Sequence, residues 1–214
     1  PFSILFRGCS SLVVYEVGVL VALQQLSPDI LKSASRIYGL SSGSVVAAFA
    51  LCEMDPGKGY VLPFVLCLKR LNVWKFRICN IIKDALNKHL PVNAHQRVSG
   101  KLHVILTRLR DCRSVVVSEF ASKEDLIQAL ICSCFIPLWF GFSIPVYHGV
   151  RYIDGELGTC WANFVSQTTI TISGFAGEYD ICPRDGPAAF FTFQISNCTL
   201  QISKRNVFRL KHIL

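Results

Sequence analysis

Residues 36–52 read "RIYGLSSGSVVAAFALC", and the parsing of this stretch decides the fold. Arg36-Ile37-Tyr38 is a β-branched and aromatic run that reads as a short strand. Ser42 to Cys52 is small, apolar and rich in helix formers, so it reads as a buried helix. Between them stands Gly39-Leu40-Ser41-Ser42-Gly43. Strand, tight turn and helix is the setting in which Gly-x-Ser-x-Gly exposes a serine hydroxyl at a helix N-terminus, where partial positive charge favours a developing oxyanion. The glycines permit the sharp turn because they carry no Cβ. The pattern is short, so at this point Ser41 stays open between a nucleophile and a plain turn residue.

Working outward, Phe2 to Phe6 reads as a first strand, followed by the loop Arg7-Gly8-Cys9-Ser10-Ser11 and a helix from about Leu12 to Leu26. Strand, helix, strand, helix signals a parallel sheet with helical crossovers. A long helical middle is expected over 58–90. Leu102–Leu109 and Ser114–Phe120 alternate around Asp111-Cys112-Arg113 and predict a hairpin. Ser122-Lys123-Glu124-Asp125 reads as a helix start for a buried helix reaching Phe135, with strands to follow at 150–153 and 168–173. The fold class expected is α/β, a central mostly parallel sheet with helices on both faces.

With 214 residues, 17% charged and 51% hydrophobic, the chain is expected to form one globular domain over 1–214 and is not of the disordered class. It begins at Pro1 and stops in mid-pattern, so it reads as a fragment truncated at its C-terminus. No basic segment precedes an early apolar run, so no signal peptide is visible. The net charge of +8 invites a nucleic-acid reading, but the basic residues are not interleaved with aromatics on one recognisable module, and no nucleic-acid partner is expected.

Two basic clusters instead sit beside large apolar residues: Lys69, Arg70, Lys75 and Arg77, and Lys204, Arg205, Arg209 and Lys211. That mixture suits an anionic lipid surface, and equally the solvated faces of amphipathic helices. From Leu126 to Val150 there is no Lys, Arg, Asp or Glu, yet Pro137, Gly141 and Pro145 argue against one spanning helix. The ten cysteines show no C-x-x-C pairing, so free thiols are expected and no metal site.

A serine nucleophile needs a base. His89, His95, His103, His148 and His212 each read more simply as structural, with His148, in a loop, the one kept open. Too few strands precede Ser41 for the Ser, Asp/Glu, His order of α/β-hydrolases. Asp154 follows Arg151-Tyr152-Ile153 directly and precedes Gly155. It is a carboxylate at the end of a short strand, where open α/β sheets assemble their sites. The alternative for Asp154 is an Asp-Gly turn, which is the reading given to Asp185-Gly186.

In order, the loop from Gly8 to Val13, Gly39-Leu40-Ser41-Ser42-Gly43 and Asp154-Gly155 resemble the patatin-like phospholipase family. The blocks "KLHVILTRL", "SEFASKEDLIQALICSCFIP", "GVRYIDG" and "DICPRD" look like its adipose triglyceride lipase and adiponutrin branch. The resemblance covers nearly the whole chain. It implies a three-layer fold and a Ser–Asp dyad without histidine: Ser41 as nucleophile, Asp154 as base, and Gly39 and Gly43 shaping the elbow. Backbone N–H groups of Gly8, Cys9, Ser10 and Ser11 would hold the oxyanion.

The resemblance further implies a hydrolase or transacylase of triacylglycerol, phospholipid or acylceramide type, without a cofactor. Such an enzyme would be peripheral on a lipid droplet or membrane in the cytoplasm, with a protein co-regulator. Two departures stand out. The family's Gly-x-Gly-x-x-Gly loop is here Gly8-x-Ser10-x-x-Val13, where side chains at Ser10 and Val13 are expected to strain the backbone. Glu156 also follows Asp154-Gly155 where the family has Gly or Ala, and is expected to raise the pKa of whichever carboxyl is harder to ionise. These departures motivate the rival expectation of a catalytically feeble lipid-surface protein.

Overall fold

The computed structural model describes residues 1–54, 78–161, 168–186, 191–195 and 198–213. The basic cluster at 69–77 and the first part of the helical middle lie outside them. From the N-terminus run β1 (Ser3–Phe6), α1 (Val13–Leu26), α2 (Pro28–Ser33), β2 (Arg36–Leu40), α3 (Ser42–Leu51), α4 (Ile78–His89) and α5 (Ala94–Val98). Then come β3 (Leu102–Arg108), β4 (Arg113–Val117), α6 (Lys123–Cys134), β5 (Val146–Tyr147), β6 (Val150–Ile153), β7 (Thr169–Ile172), β8 (Thr192–Ile195), β9 (Cys198–Gln201) and α7 (Lys204–Ile213). Short 3-10 segments cover Ser10–Leu12 and Gly155–Trp161.

Local chemistry explains the element ends. Ser122 caps α6 by accepting the Asp125 N–H at 3.1 Å, while Asp125 Oδ2 accepts the Ala121 N–H at 2.9 Å, so donors left free at the helix start are satisfied reciprocally. The β3–β4 hairpin forms where the alternating pattern predicts it. Cys112 takes φ +54° in its turn, and Arg108 clasps Asp111 through Nε at 3.0 Å and Nη2 at 2.9 Å.

The fold is α/β of the three-layer kind, a mostly parallel sheet flanked by helices. Strands pair along the path β5–β6–β3–β2–β1–β7, with β4 also on β3. The β7, β1, β2 and β3 neighbours are parallel; β4, β5 and β6 pair antiparallel. Side-chain alternation divides the core. Ile4, Phe6, Ile37, Leu102, Val104 and Leu106 pack with α1, α3, α4 and α6, whereas Leu5, Tyr38, Leu40 and Ile105 form a smaller cluster on the opposite face. Residues of α3 are buried all round, which matches its apolar sequence.

Register then brings two chain ends together. Residues 104 and 105 of β3 lie between β4 and β2, while residues 107 and 108 lie between β4 and β6. Strands β2 and β6 therefore share the edge of β3 opposite β4. Parallel β2 ends with Leu40 beside Ile105, and antiparallel β6 comes the other way to end with Ile153 beside Thr107. The next residue on each is Ser41 and Asp154, so the two strands run head-on and deliver both residues to the level of Leu106.

Candidate active site

The turn at Ser41 is strained in the way a nucleophile elbow requires. Ser41 has φ +50° and ψ −133°, a conformation in which a non-glycine residue is held only by its surroundings. Those surroundings need both flanking glycines. A Cβ on Gly39 would stand 2.3 Å from Ser44 Cα, and one on Gly43 would stand 2.5 Å from the Phe6 carbonyl oxygen. Polar side chains pin the turn from below: the Ser41 N–H donates to Ser133 Oγ at 3.0 Å, Ser133 Oγ–H donates to the Ile105 carbonyl at 2.8 Å, and Ser44 Oγ–H donates to the Ser41 carbonyl at 2.6 Å. Ser41 itself is 8% exposed and stands at the N-cap position of α3, its hydroxyl making no capping bond.

Asp154 is fixed with equal care. Its N–H donates to the Phe135 carbonyl at 2.8 Å, its carbonyl accepts from Thr107 Oγ1 at 2.8 Å, and Oδ1 accepts the Glu156 N–H at 2.8 Å. Gly155 passes so close to the Ile105 carbonyl that an added Cβ would meet its oxygen at 2.3 Å. Oδ2 is buried with no hydrogen-bond partner. Burial pushes the Asp154 carboxyl from its ordinary 3.8 up to about 7, against the lowering influence of the nearby Ser41 hydroxyl and the Glu156 N–H. The Glu156 charge also raises it, but last in order, so the expected effect of that neighbour is real and secondary to burial.

The loop after β1 completes the surroundings. Gly8 lies against the nucleophile, since a Cβ there would come within 2.7 Å of Ser41 Cβ. Its N–H donates to Glu156 Oε1 at 2.7 Å, and the Cys9 N–H donates to Ser42 Oγ at 3.2 Å. Ser10 takes φ +49°, the left-handed region where its Cβ costs about 1–2 kcal/mol. Val13 differs from expectation: its φ of −49° and ψ of −23° are ordinary helix, and its side chain is fully buried in the core. The strain expected there is absent because the chain has already entered a helix. Ser11 is buried in the same loop.

The other candidates fall into place around this centre. His148 Nε2 is 2.9 Å from Asp125 Oδ1 and its ring stacks on Tyr147 at 4.0 Å. His103 Nδ1 contacts the Lys101 carbonyl at 3.1 Å, and burial lowers its pKa. His95 lies in α5, His89 ends α4 and His212 lies in α7. Asp185, read as a turn residue, is instead an anchor: it accepts from Ser203 Oγ and from Arg209 Nη1 at 3.0 Å and Nη2 at 2.9 Å, tying α7 down. Arg209 is thereby taken out of the basic cluster. Cys9, Cys52, Cys79, Cys112, Cys132, Cys134 and Cys182 are unpaired thiols, and among the described residues no His/Cys/Asp/Glu group could hold a metal ion and no helix is long and apolar enough to cross a membrane.

Two residues at the centre were not singled out from sequence. Ser133 lies between Cys132 and Cys134 in the buried part of α6. Arg7 pairs with Glu156, 149 residues away; its one sequence signal is a cation closing an apolar strand directly before Gly8.

Comparison with known proteins gives the family and several relatives. The family model described as patatin-like phospholipase matches residues 4–159. An omega-hydroxyceramide transacylase of Homo sapiens is 42% identical over 220 residues, covering 100% of this chain and 41% of that protein. A 1-acylglycerol-3-phosphate O-acyltransferase of Mus musculus is 37% identical over 212 residues, covering 96% of this chain and 51% of the other. Patatin-like phospholipase domain-containing protein 2 of Homo sapiens is 36% identical over 220 residues, covering 100% of this chain and 44% of the other. The chain thus spans about half or less of the length of these relatives.

Proposed function

The chain belongs to the patatin-like phospholipase family, and from that premise we propose that it is a serine acyl hydrolase or transacylase working through Ser41 and Asp154. One observation carries the reading: a left-handed serine hemmed in by two obligatory glycines meets a buried carboxylate whose Oδ2 has no partner. A carboxyl near pH 7 in acidity suits general-base work at neutral pH. Asp154 Oδ2 takes the Ser41 hydroxyl proton as Oγ bonds to the acyl carbonyl carbon, and the carbonyl electron pair moves onto its oxygen. Backbone N–H groups of the Gly8–Ser11 loop donate to that oxyanion. Collapse breaks the bond to the alcohol, which leaves with the proton from Asp154. Water or an acceptor alcohol then gives its proton to Asp154, attacks the acyl-enzyme and releases the product, and Ser41 regains its proton.

The substrate class is an acyl lipid reached at a droplet or membrane surface, with the protein peripheral on the cytoplasmic side and a protein co-regulator accommodated. The sequence blocks look most like patatin-like phospholipase domain-containing protein 1, the acylceramide-forming member, which favours transfer over hydrolysis. Exposed apolar residues support the surface: Leu138 and Phe142 project from the loop that begins at Phe135, next to Asp154, and Leu157 follows it by three residues. On α7, Val207, Phe208 and Leu210 are exposed beside Lys204, Arg205 and Lys211.

A fluorophosphonate probe tests the proposal. Wild type labels at Ser41, and Ser41→Ala and Asp154→Asn do not; labelling that survives Ser41→Ala rejects it. The second reading, a weakly catalytic lipid-binding protein, is favoured by Ser10 at positive φ and by the carboxylate already seated on the Gly8 N–H.

A further inference from the structure

Glu156 reaches into the place where the chemistry would develop its charge. Its Oε1 accepts the Gly8 N–H at 2.7 Å and the Arg7 Nε–H at 3.3 Å, while Oε2 accepts from Arg7 Nη2 at 2.6 Å. The pair is shielded from water, with the Arg7 side chain 6% and the Glu156 side chain 19% exposed. It also adjoins the nucleophile, because the Gly8 backbone touches both Ser41 and Glu156: a Cβ on Gly8 would stand 2.7 Å from Ser41 Cβ and 2.8 Å from Glu156 Cγ. An oxygen standing where Oε1 stands therefore receives a backbone N–H and a guanidinium N–H together, beside Ser41.

Charge balance says what kind of group can stand there. Arg7 is buried, and a buried cation stripped of its partner is strongly unfavourable. Glu16, also near Arg7, is fully buried, and burial pushes its carboxyl well up, which favours the neutral acid. The Tyr179 ring also lies near Arg7, 5.6 Å from centroid to guanidinium carbon. A neutral carbonyl oxygen cannot supply the negative charge that the Glu156 carboxylate sets beside Arg7. An oxyanion can, and it exists only once Ser41 has attacked.

We propose that Arg7 is a further catalytic residue that, with the Gly8 N–H, stabilises the tetrahedral oxyanion, and that Glu156 is the resting occupant of that place, displaced as the oxyanion forms. The proposal rests on the Ser41–Asp154 reading above. Glu156 is the more exposed partner and sits at the start of the 3-10 segment Gly155–Trp161, so its side chain is the one that swings toward solvent. It acts as a built-in competitor for the transition state, not for the substrate. Removing it raises kcat and leaves KM nearly unchanged.

The test is turnover of a short-chain ester by wild type, Glu156→Ala, Glu156→Gln, Arg7→Gln and the Arg7→Gln/Glu156→Ala double variant, with Ser41→Ala as blank and a thermal melt for each. Glu156→Ala should be faster by on the order of tenfold to a hundredfold, within the range a single oxyanion donor controls, and should melt lower than wild type. The gain should shrink in Glu156→Gln and vanish in the double variant. Acetate should inhibit and restore the melting temperature of Glu156→Ala, and do neither to the double variant. A slower Glu156→Ala, rescued by Glu156→Gln, means that Glu156 merely holds the loop in shape and overturns the proposal. With turnover dependent on Ser41, no gain in Glu156→Ala rejects the Arg7–Glu156 assignment alone. Silence in every variant, equal to Ser41→Ala, rejects the catalytic reading and Arg7's role with it.

Discussion

Two turns meet at the Ser41 side chain, and they treat glycine differently. In the elbow, Gly39 and Gly43 stand where a Cβ would collide with backbone at 2.3 Å and 2.5 Å, and Ser41 alone carries the positive φ. In the loop after β1, Gly8 is similarly confined, but the left-handed position is filled by Ser10, whose Cβ is tolerated at a cost. The elbow is overdetermined by sterics; the loop is held by polar contacts with Ser42 and Glu156. Nucleophile placement is therefore rigid, while anion stabilisation depends on side chains that can move. Activity in this chain should be robust to small changes around the loop and intolerant of change at Gly39, Ser41 and Gly43.

The largest expected effects lie in the elbow. Gly39→Ala must drive a methyl group into Ser44, so either folded protein or all turnover is lost, as circular dichroism and an esterase assay would read. Ser41→Ala falls to the blank with its fold intact. Ser42→Ala and Ser44→Ala are expected to keep at least about a tenth of the activity, as befits supporting contacts rather than the nucleophile. Asp154→Asn should lose about 100- to 10,000-fold, the usual contribution of a general base, whereas Asp185→Asn loosens α7 without comparable loss.

Next in size is pH. Asp154 is active as a base only when ionised, so kcat/KM should climb roughly tenfold per unit below about 7 and level off above it. Stability runs the other way. The folded carboxyl holds its proton more tightly than the unfolded one, so its contribution is fully present below about 4 and lost as pH rises through about 7. Asp154→Asn should therefore be more stable than wild type at pH 8, by on the order of 2–4 kcal/mol, and close to it at pH 4. Equal melting profiles at both pH values would contradict the buried, proton-holding carboxyl.

Much of this was legible in the sequence because it is local. A β-branched strand followed by Gly-x-Ser-x-Gly and a small-residue helix specifies the elbow, and Tyr152-Ile153-Asp154-Gly155 marks a strand end. The hairpin at 102–117 and the Ser122 cap follow from alternation and side-chain chemistry. What was hidden depends on contacts far apart in the chain. That β6 runs antiparallel into the end of β2 is a matter of register on β3. The Arg7–Glu156 pair joins residues 149 positions apart, and Ser133 supports Ser41 from another helix. Asp185 reads as a turn until Arg209 is seen to grip it. Val13 looked strained only because the family's loop has glycine there, whereas Val13 takes ordinary helical angles here.

Smaller effects sharpen the contrast between the turns. Ser10→Gly removes the left-handed Cβ and should raise stability by about 1 kcal/mol, less the entropy of the freer chain, with a few-fold gain in kcat at most. Val13→Gly should instead destabilise by about 2–4 kcal/mol, through a core cavity and a glycine in the first helical turn. Smallest of all, charge reversal at Lys204, Arg205 and Lys211 should weaken flotation with anionic liposomes in a salt-sensitive way, since surface attraction fades within roughly 10 Å at 0.1 M salt. Flotation unchanged at high salt would transfer the surface role to Leu138 and Phe142.

The convergence of Ser41 and Asp154 is tested most directly by mapping the fluorophosphonate adduct by peptide mass in wild type and in Asp154→Asn of verified fold. The account predicts a single adduct on Ser41, formed in wild type and slowed at least about a hundredfold in Asp154→Asn. An adduct on Ser42 or Ser44, or equal labelling rates in the two proteins, would contradict it.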